Sequence, residues 1–221
     1  MSARAVKVFD ALGAAMPQAK IELDFTKPLE LLVSVVLSAQ TTDKRVNMVS
    51  PALFKAYPTA QHYADSTWTE ISRYLTTLGL FRAKSKNLVK LGQALVRDHG
   101  GEVPTTRDAL KLLPGVGNKT AGVVTIHLGT EHAFPVDTHV FRLSRRLGFS
   151  RGTDPDEVEA DMRKLLPPER WGLAHQLLVW HGRRVCAARS PDCHRCVVGP
   201  LCPAMPYFLK KRKARPNVRK S

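Results

Sequence analysis

Four cysteines stand at Cys186, Cys193, Cys196 and Cys202 in the pattern C-x6-C-x2-C-x5-C, and the 185 residues before them contain none. Thiolates gathered so tightly are a metal-binding arrangement, suited to zinc or to an iron-sulfur cluster, and a reducing compartment would keep them available. The single C-x2-C pair tilts the spacing toward a cubane, because zinc more often uses two such pairs; His194, inside the loop, is the residue that zinc could take instead of a thiolate. Placed late in the chain after a long helical pattern, the centre is expected to staple the fold rather than to carry electrons.

The second chemical group is Lys119. It follows Leu112-Leu113-Pro114-Gly115-Val116-Gly117-Asn118, where two glycines able to take positive φ join two helical patterns as a hairpin. Exposed amides at Gly115, Val116 and Gly117, together with the next helix N-terminus, suit a backbone phosphate, which positions a duplex without reading it. In the first turn of that helix the positive dipole end disfavours an ammonium, so Lys119 is poised toward a neutral, nucleophilic amine. An ordinary phosphate-binding lysine would occupy the same place, and the turn alone does not decide.

What must position these groups is a basic, helical chain. The formal charge is +15 over 221 residues; seven Lys or Arg lie between Lys210 and Ser221, and the remainder still carries +8. Nucleic acid is the partner that such a field attracts first. The longest apolar run, Leu31 to Ala39, is too short to span a bilayer, and Lys7 and Asp10 break the apolar N-terminus. A soluble protein with no membrane partner and no export signal is expected, intracellular and, if bacterial, cytoplasmic and associated with the nucleoid.

Apolar residues recur at helical spacing in Val6, Phe9, Leu12, in Leu29 to Leu37 and in Val46 to Phe54, and helices are expected at 67-77, 82-99, 105-112, 118-128, 137-148, 155-165 and 169-185. Alternating patterns are scarce, so the fold class is all-α. Asp137-Thr138 and Thr153-Asp154-Pro155 read as helix starts whose side chains cap exposed amides. The basic tail, 206-221, has too little apolar surface to order itself.

With the hairpin, Val136-Asp137-Thr138-His139-Val140 and the cysteine spacing in order, residues 3 to 205 closely resemble the endonuclease III family of DNA glycosylases. The resemblance implies a helix-hairpin-helix DNA glycosylase fold with two helical domains flanking a DNA-binding cleft: a six-helix bundle at 21-130, and a second domain of 1-20 plus 131-205 around a [4Fe-4S] cluster held by Cys186, Cys193, Cys196 and Cys202. It implies a bifunctional enzyme of base excision repair, a monomer acting on double-stranded DNA that contains oxidised pyrimidines or abasic sites. Lys119 would attack the sugar, expel the base and form a Schiff base, and β-elimination would then cut the strand. The family's carboxylate falls on Asp137, which would stabilise charge on the sugar and handle the Lys119 proton. A base inside a duplex must be flipped out, and the resemblance gives the vacated space to Gln40 and Leu80, a phosphate or pocket contact to His139 and a pocket position to Asp43; Arg82 and Lys84 are expected to add phosphate contacts.

Two positions depart from the family pattern: Phe81 replaces a tyrosine after the wedge leucine, and Lys111 replaces an acid. Both bear on lesion preference and DNA affinity rather than on the chemistry. Mismatch adenine glycosylases share the fold but lack the hairpin lysine and carry a glutamate where this chain reads Ser34-Val35-Val36. A non-catalytic DNA-binding paralogue would have no use for Lys119 and Asp137 together, and a zinc-stapled nucleic-acid-binding protein would be colourless.

Overall fold

The computed structural model describes residues 2–213, all helix, turn and loop, with no strand among them. In chain order the α-helices are α1 (Ala3–Ala15), α2 (Pro28–Leu37), α3 (Asp43–Ala56), α4 (Ala60–Asp65), α5 (Trp68–Leu75), α6 (Phe81–His99), α7 (Arg107–Lys111), α8 (Asn118–Leu128), α9 (Thr138–Arg146), α10 (Pro155–Arg163), α11 (Trp171–Arg184) and α12 (Met205–Lys213). No helix among the described residues is long and apolar enough to cross a membrane.

These helices form two compact units. One is the continuous segment Ile21–Ala133; the other joins the N-terminal segment through Lys20 to the chain from Phe134 onward. At the end of the first unit the Glu131 carboxylate accepts the N–H of Arg107 at 2.9 Å, at the start of α7, and Ala133 is buried.

Within the bundle α2 is the central rod. Pro28 opens it at a position where its missing N–H costs nothing, and Leu31 through Leu37 are all buried, as befits a helix surrounded by others. Along α6, Leu88, Leu91 and Leu95 make one buried stripe. Gly92 lets α4 press against it: a Cβ there would stand 2.6 Å from Tyr63 Cβ and 2.8 Å from the Ala60 carbonyl oxygen. Gly100, left-handed at φ 60°, stops the helix by turning its N–H back to Leu95 O.

In the other unit α1 packs Val8, Phe9 and Leu12 into a core with Val140 and Leu143 of α9, Val158 and Met162 of α10 and Leu177 and Leu178 of α11. Polar contacts fix its register: the Arg4 guanidinium donates to Leu147 O at 2.6 Å and to Leu201 O at 3.2 Å.

The tail departs from expectation. Instead of remaining unordered from 206, the chain continues as α12 to Lys213, since Phe208 lies under the Arg146 guanidinium at 4.4 Å and Met205 and Phe208 both line the cysteine cavity. A few apolar residues at the start of the segment suffice to dock it. The rest of the basic tail, 214-221, lies outside the described residues.

Candidate active site and metal centre

The hairpin joins α7 to α8 through one left-handed glycine rather than two, because Gly117, at φ −93° and ψ 179°, is extended where it caps α8. Gly115 takes φ 81°, a left-handed conformation that a side chain would strain. Val116 faces inward, 7% exposed, and gives its N–H to Leu113 O at 3.1 Å. Its role is to set the turn, while Gly115 and Gly117 remain at the surface. Gly117 caps α8, so Lys119 is the second residue of that helix, half-buried and held in the field of its first-turn amides. Beside it Arg107 Nε donates to Asn118 Oδ1 at 3.1 Å. Lys111 pairs at 3.1 Å with the exposed Asp108, so the reversed charge at this position is spent locally, on a surface pair of small energetic weight.

Two loops of the same bundle carry Gln40 and Leu80. Both are left-handed, at φ 53° and 57°, and they are the only non-glycine residues with positive φ among those described. Such a backbone costs about 1–2 kcal/mol at each position. Leu80 is 60% exposed and Gln40 is exposed as well, so two strained residues present an apolar and an amide side chain to solvent. Their loops adjoin: a Cβ on Gly79 would lie 4.0 Å from Gln40 O. Arg82 is exposed, whereas Lys84, expected at the surface, is only 5% exposed. The buried stripe of α6 passes through position 84, and the ammonium turns inward to donate to Thr41 Oγ1.

In the other unit Asp137 caps α9. Its Oδ1 accepts the Val140 N–H at 2.8 Å, which leaves the carboxylate half-buried and aligned by the backbone. Just upstream, buried His175 of α11 holds Pro135 O at 2.8 Å. His139, the second residue of α9, lies against α11: a Cβ on Gly182 would stand 2.9 Å from its Nδ1. Burial lowers the His139 pKa below the ordinary imidazole range; the Asp137 carboxylate opposes this, and Arg142 and Arg183 add to the lowering.

The four cysteines line one small cavity, closed in part by Arg146, Met205 and Phe208. Among the described residues, no group of three or more His, Cys, Asp or Glu side chains is gathered as ligands of one ion; all four cysteines share the lining of this one cavity. Burial, and then the charges of their neighbours, raise the pKa of Cys193, Cys196 and Cys202 above the usual thiol range. Four thiolates here therefore require a compensating cation. Donors already point at the sulfurs: Val198 N–H at Cys196 and the Ala204 and Met205 N–H groups at Cys202, with Arg146 Nη1 3.2 Å from Cys186 Sγ. His181, its pKa pushed down to about 4 by burial, is 3.4 Å from Cys196 Sγ. His194 is exposed.

Residues 33–168 match the model of the HhH-GPD superfamily base excision DNA repair proteins. Endonuclease III of Synechocystis sp. is 44% identical over 202 residues, which is 91% of this chain and 92% of that protein. The chain belongs to the endonuclease III family. Two solved structures of the family agree: a trapped covalent intermediate of endonuclease III with DNA, 39% identical with a TM-score of 0.89, and a non-covalent endonuclease III–DNA complex, 40% identical with the same score. Each covers 97% of this chain and 100% of its own.

The structure also brings in a residue that the sequence motifs passed over. Arg142 donates to Gly182 O at 3.0 Å and Cys186 O at 3.0 Å, and its Nη2 is 3.1 Å from His139 Nδ1; one guanidinium thus joins the Asp137 helix to the beginning of the cysteine loop. The spacing of His139, Arg142 and Arg146, three and then four residues along a helix, places them on one face and was the available signal.

Proposed function

We propose that this chain removes oxidised pyrimidines from double-stranded DNA and then cleaves the strand at the abasic site. The observation that carries the reading is Lys119 at the opening of α8, behind a glycine hairpin, in a chain 39% identical to an endonuclease III trapped covalently on DNA.

The Lys119 Nζ lone pair attacks C1′, and the C1′–N bond to the base breaks, the base leaving with the electron pair and acquiring a proton. Loss of the amine protons and opening of the sugar ring give an imine between Nζ and C1′. A C2′ proton is then removed and the C3′–O bond breaks, so the 3′ phosphate departs and the strand is cut. Asp137 stabilises positive charge on the sugar and takes part in moving the Lys119 protons. Gln40 and Leu80 occupy the space left by the extruded nucleotide. Gly115 and Gly117 present hairpin amides to a phosphate, with Val116 shaping the turn and His139 a further phosphate or pocket contact. The protein acts as a monomer, wherever the cell keeps its DNA.

Cys186, Cys193, Cys196 and Cys202 hold a [4Fe-4S] cluster, which supplies structural cross-linking of the loop after α11. The single C-x2-C pair in the spacing, the four cysteines lining one cavity and the N–H groups directed at their sulfurs support a polynuclear centre over one zinc ion.

Borohydride trapping on a duplex with one thymine glycol tests the chemistry, alongside iron, sulfide and zinc analysis of the purified protein. A covalent complex that disappears in Lys119→Ala is expected, with about four irons per chain. Base release without trapping would make the enzyme monofunctional and remove Lys119 from this role; binding without excision would favour a DNA-binding paralogue.

A further inference from the structure

Lysines near a DNA-binding surface ordinarily neutralise phosphates, and Arg82, exposed in the first turn of α6, is placed to do so. Lys84 is not. It is 5% exposed, and burial lowers the pKa of its ammonium below the usual lysine range. An ammonium withdrawn from water at such cost needs a structural reason.

Its bonds supply one. The ordinary helical bond from Lys84 N–H to Leu80 O, 3.0 Å, sets the residue one turn beyond Leu80, and from there its side chain donates to Thr41 Oγ1. Leu80 is one of the two left-handed residues, and Thr41 directly follows the other, Gln40. Thr41 closes the turn that displays Gln40, because its N–H donates to Ser38 O at 3.1 Å, and its hydroxyl lies 3.5 Å from Ala39 O. The Lys84 side chain thus ties the start of α6, which follows directly on Leu80, to the loop that displays Gln40, within a turn of both presented side chains.

We propose that Lys84 is a positioning residue for base extrusion, holding Gln40 and Leu80 in a fixed relation so that they enter the duplex as one wedge. The proposal rests on the reading above that these two side chains fill the vacated space. It assigns Lys84 no contact with substrate: a strained pair of loops held in register at the start meets the duplex already shaped, whereas loops free to move separately must be ordered by the DNA itself.

The test uses the full chain as Lys84→Met, Thr41→Val, Thr41→Ser and the Lys84→Met/Thr41→Val double variant, with Gln40→Ala and Leu80→Ala as references. Three quantities are read: single-turnover excision of thymine glycol from a duplex, the fluorescence rise of a 2-aminopurine opposite an abasic site, and nicking of an abasic site in a single strand, where nothing need be extruded. Lys84→Met and Thr41→Val are each expected to slow duplex excision about tenfold or more and to lose the fluorescence rise, with single-strand nicking within about twofold of the parent. The double variant falls no further than the worse single one, and Thr41→Ser restores the parent rate.

Parent-like duplex rates in both Lys84→Met and Thr41→Val, while Gln40→Ala and Leu80→Ala are slow, overturn the assignment of Lys84 alone. So does an equal loss on single strand and duplex, or a fall of about one in the slope of log affinity against log salt in Lys84→Met, the signature of a lost phosphate contact. If Gln40→Ala and Leu80→Ala are themselves as fast as the parent, the wedge reading fails and the proposal falls with it. Should Lys84→Met not fold, Thr41→Val removes the same hydrogen bond from the loop side and decides between these outcomes.

Discussion

Asp137 is given two tasks, capping α9 and serving the sugar chemistry, and two substitutions separate them. Asp137→Ala removes the acceptor that holds Val140 N–H at 2.8 Å. Loss of such a cap costs about 1 kcal/mol, which lowers Tm by roughly 2–4 °C in a protein of this size. Asp137→Asn keeps an acceptor of nearly equal capping strength and loses only the attraction of a carboxylate for the helix N-terminus, about 0.3–1 kcal/mol. Both variants lack the charge. If that charge stabilises the sugar and manages the Lys119 protons, single-turnover excision of thymine glycol falls about 10²–10⁴-fold in both, equivalent to roughly 3–5 kcal/mol at the transition state. Differential scanning calorimetry and quenched-flow excision on the same preparations give the two numbers. Asp137→Asn at the parent rate would leave the carboxylate only its capping role; Asp137→Ala with unchanged Tm would show that the cap contributes nothing.

Other consequences are equally direct. Gly92→Ala places a methyl 2.6 Å from Tyr63 Cβ and 2.7 Å from Ala64 N, and prying α4 from α6 should cost about 1–3 kcal/mol in urea melts, more than the gain in helix propensity returns. Phe208→Ala uncovers one wall of the cysteine cavity; if the cysteines hold the proposed iron-sulfur cluster, iron release to a chelator, followed by loss of the visible absorbance, is expected to quicken while the melting of the bundle stays the same. Lys84 has a folded-state pKa below its ordinary value of 10.5. Between the two values the unfolded chain binds more protons, so this residue makes stability rise as pH increases toward 10.5. In denaturant melts at stepped pH, the parent should therefore gain on Lys84→Met across that interval; a gap that does not vary with pH would refute the burial of a charged lysine.

The sequence exposed most of the helices because their apolar periods are strong: the expected 118-128 is the observed Asn118–Leu128, and 82-99 differs from Phe81–His99 by one residue. Punctuation was legible too, since Gly115 can be read as a positive-φ turn and Asp137 as a cap before any coordinates. Lys84 was misplaced because its charge was weighed above its position: Leu88, Leu91 and Leu95 already mark that side of α6 as buried. What no local pattern carries is a partner forty residues away, so the Lys84–Thr41 bond and the hold of Arg142 on Cys186 O were invisible. Nor does composition reveal docking, which is why α12 was expected to be unordered although Phe208 had Arg146 to lie beneath.

The division of the chain also has a consequence for how it is made. The bundle Ile21–Ala133 is one uninterrupted stretch and can close as soon as it clears the ribosome. Helix α1, synthesised before the bundle, cannot: Ser2 N–H waits for Leu165 O, and Arg4 for Leu201 O, 197 residues later. At bacterial or eukaryotic elongation rates that is roughly 10–40 s. Until α9, α10 and α11 have been made, the apolar face of Val8, Phe9 and Leu12 has no core to enter, and the nascent chain carries a sticky segment ahead of a bundle that can already be closed.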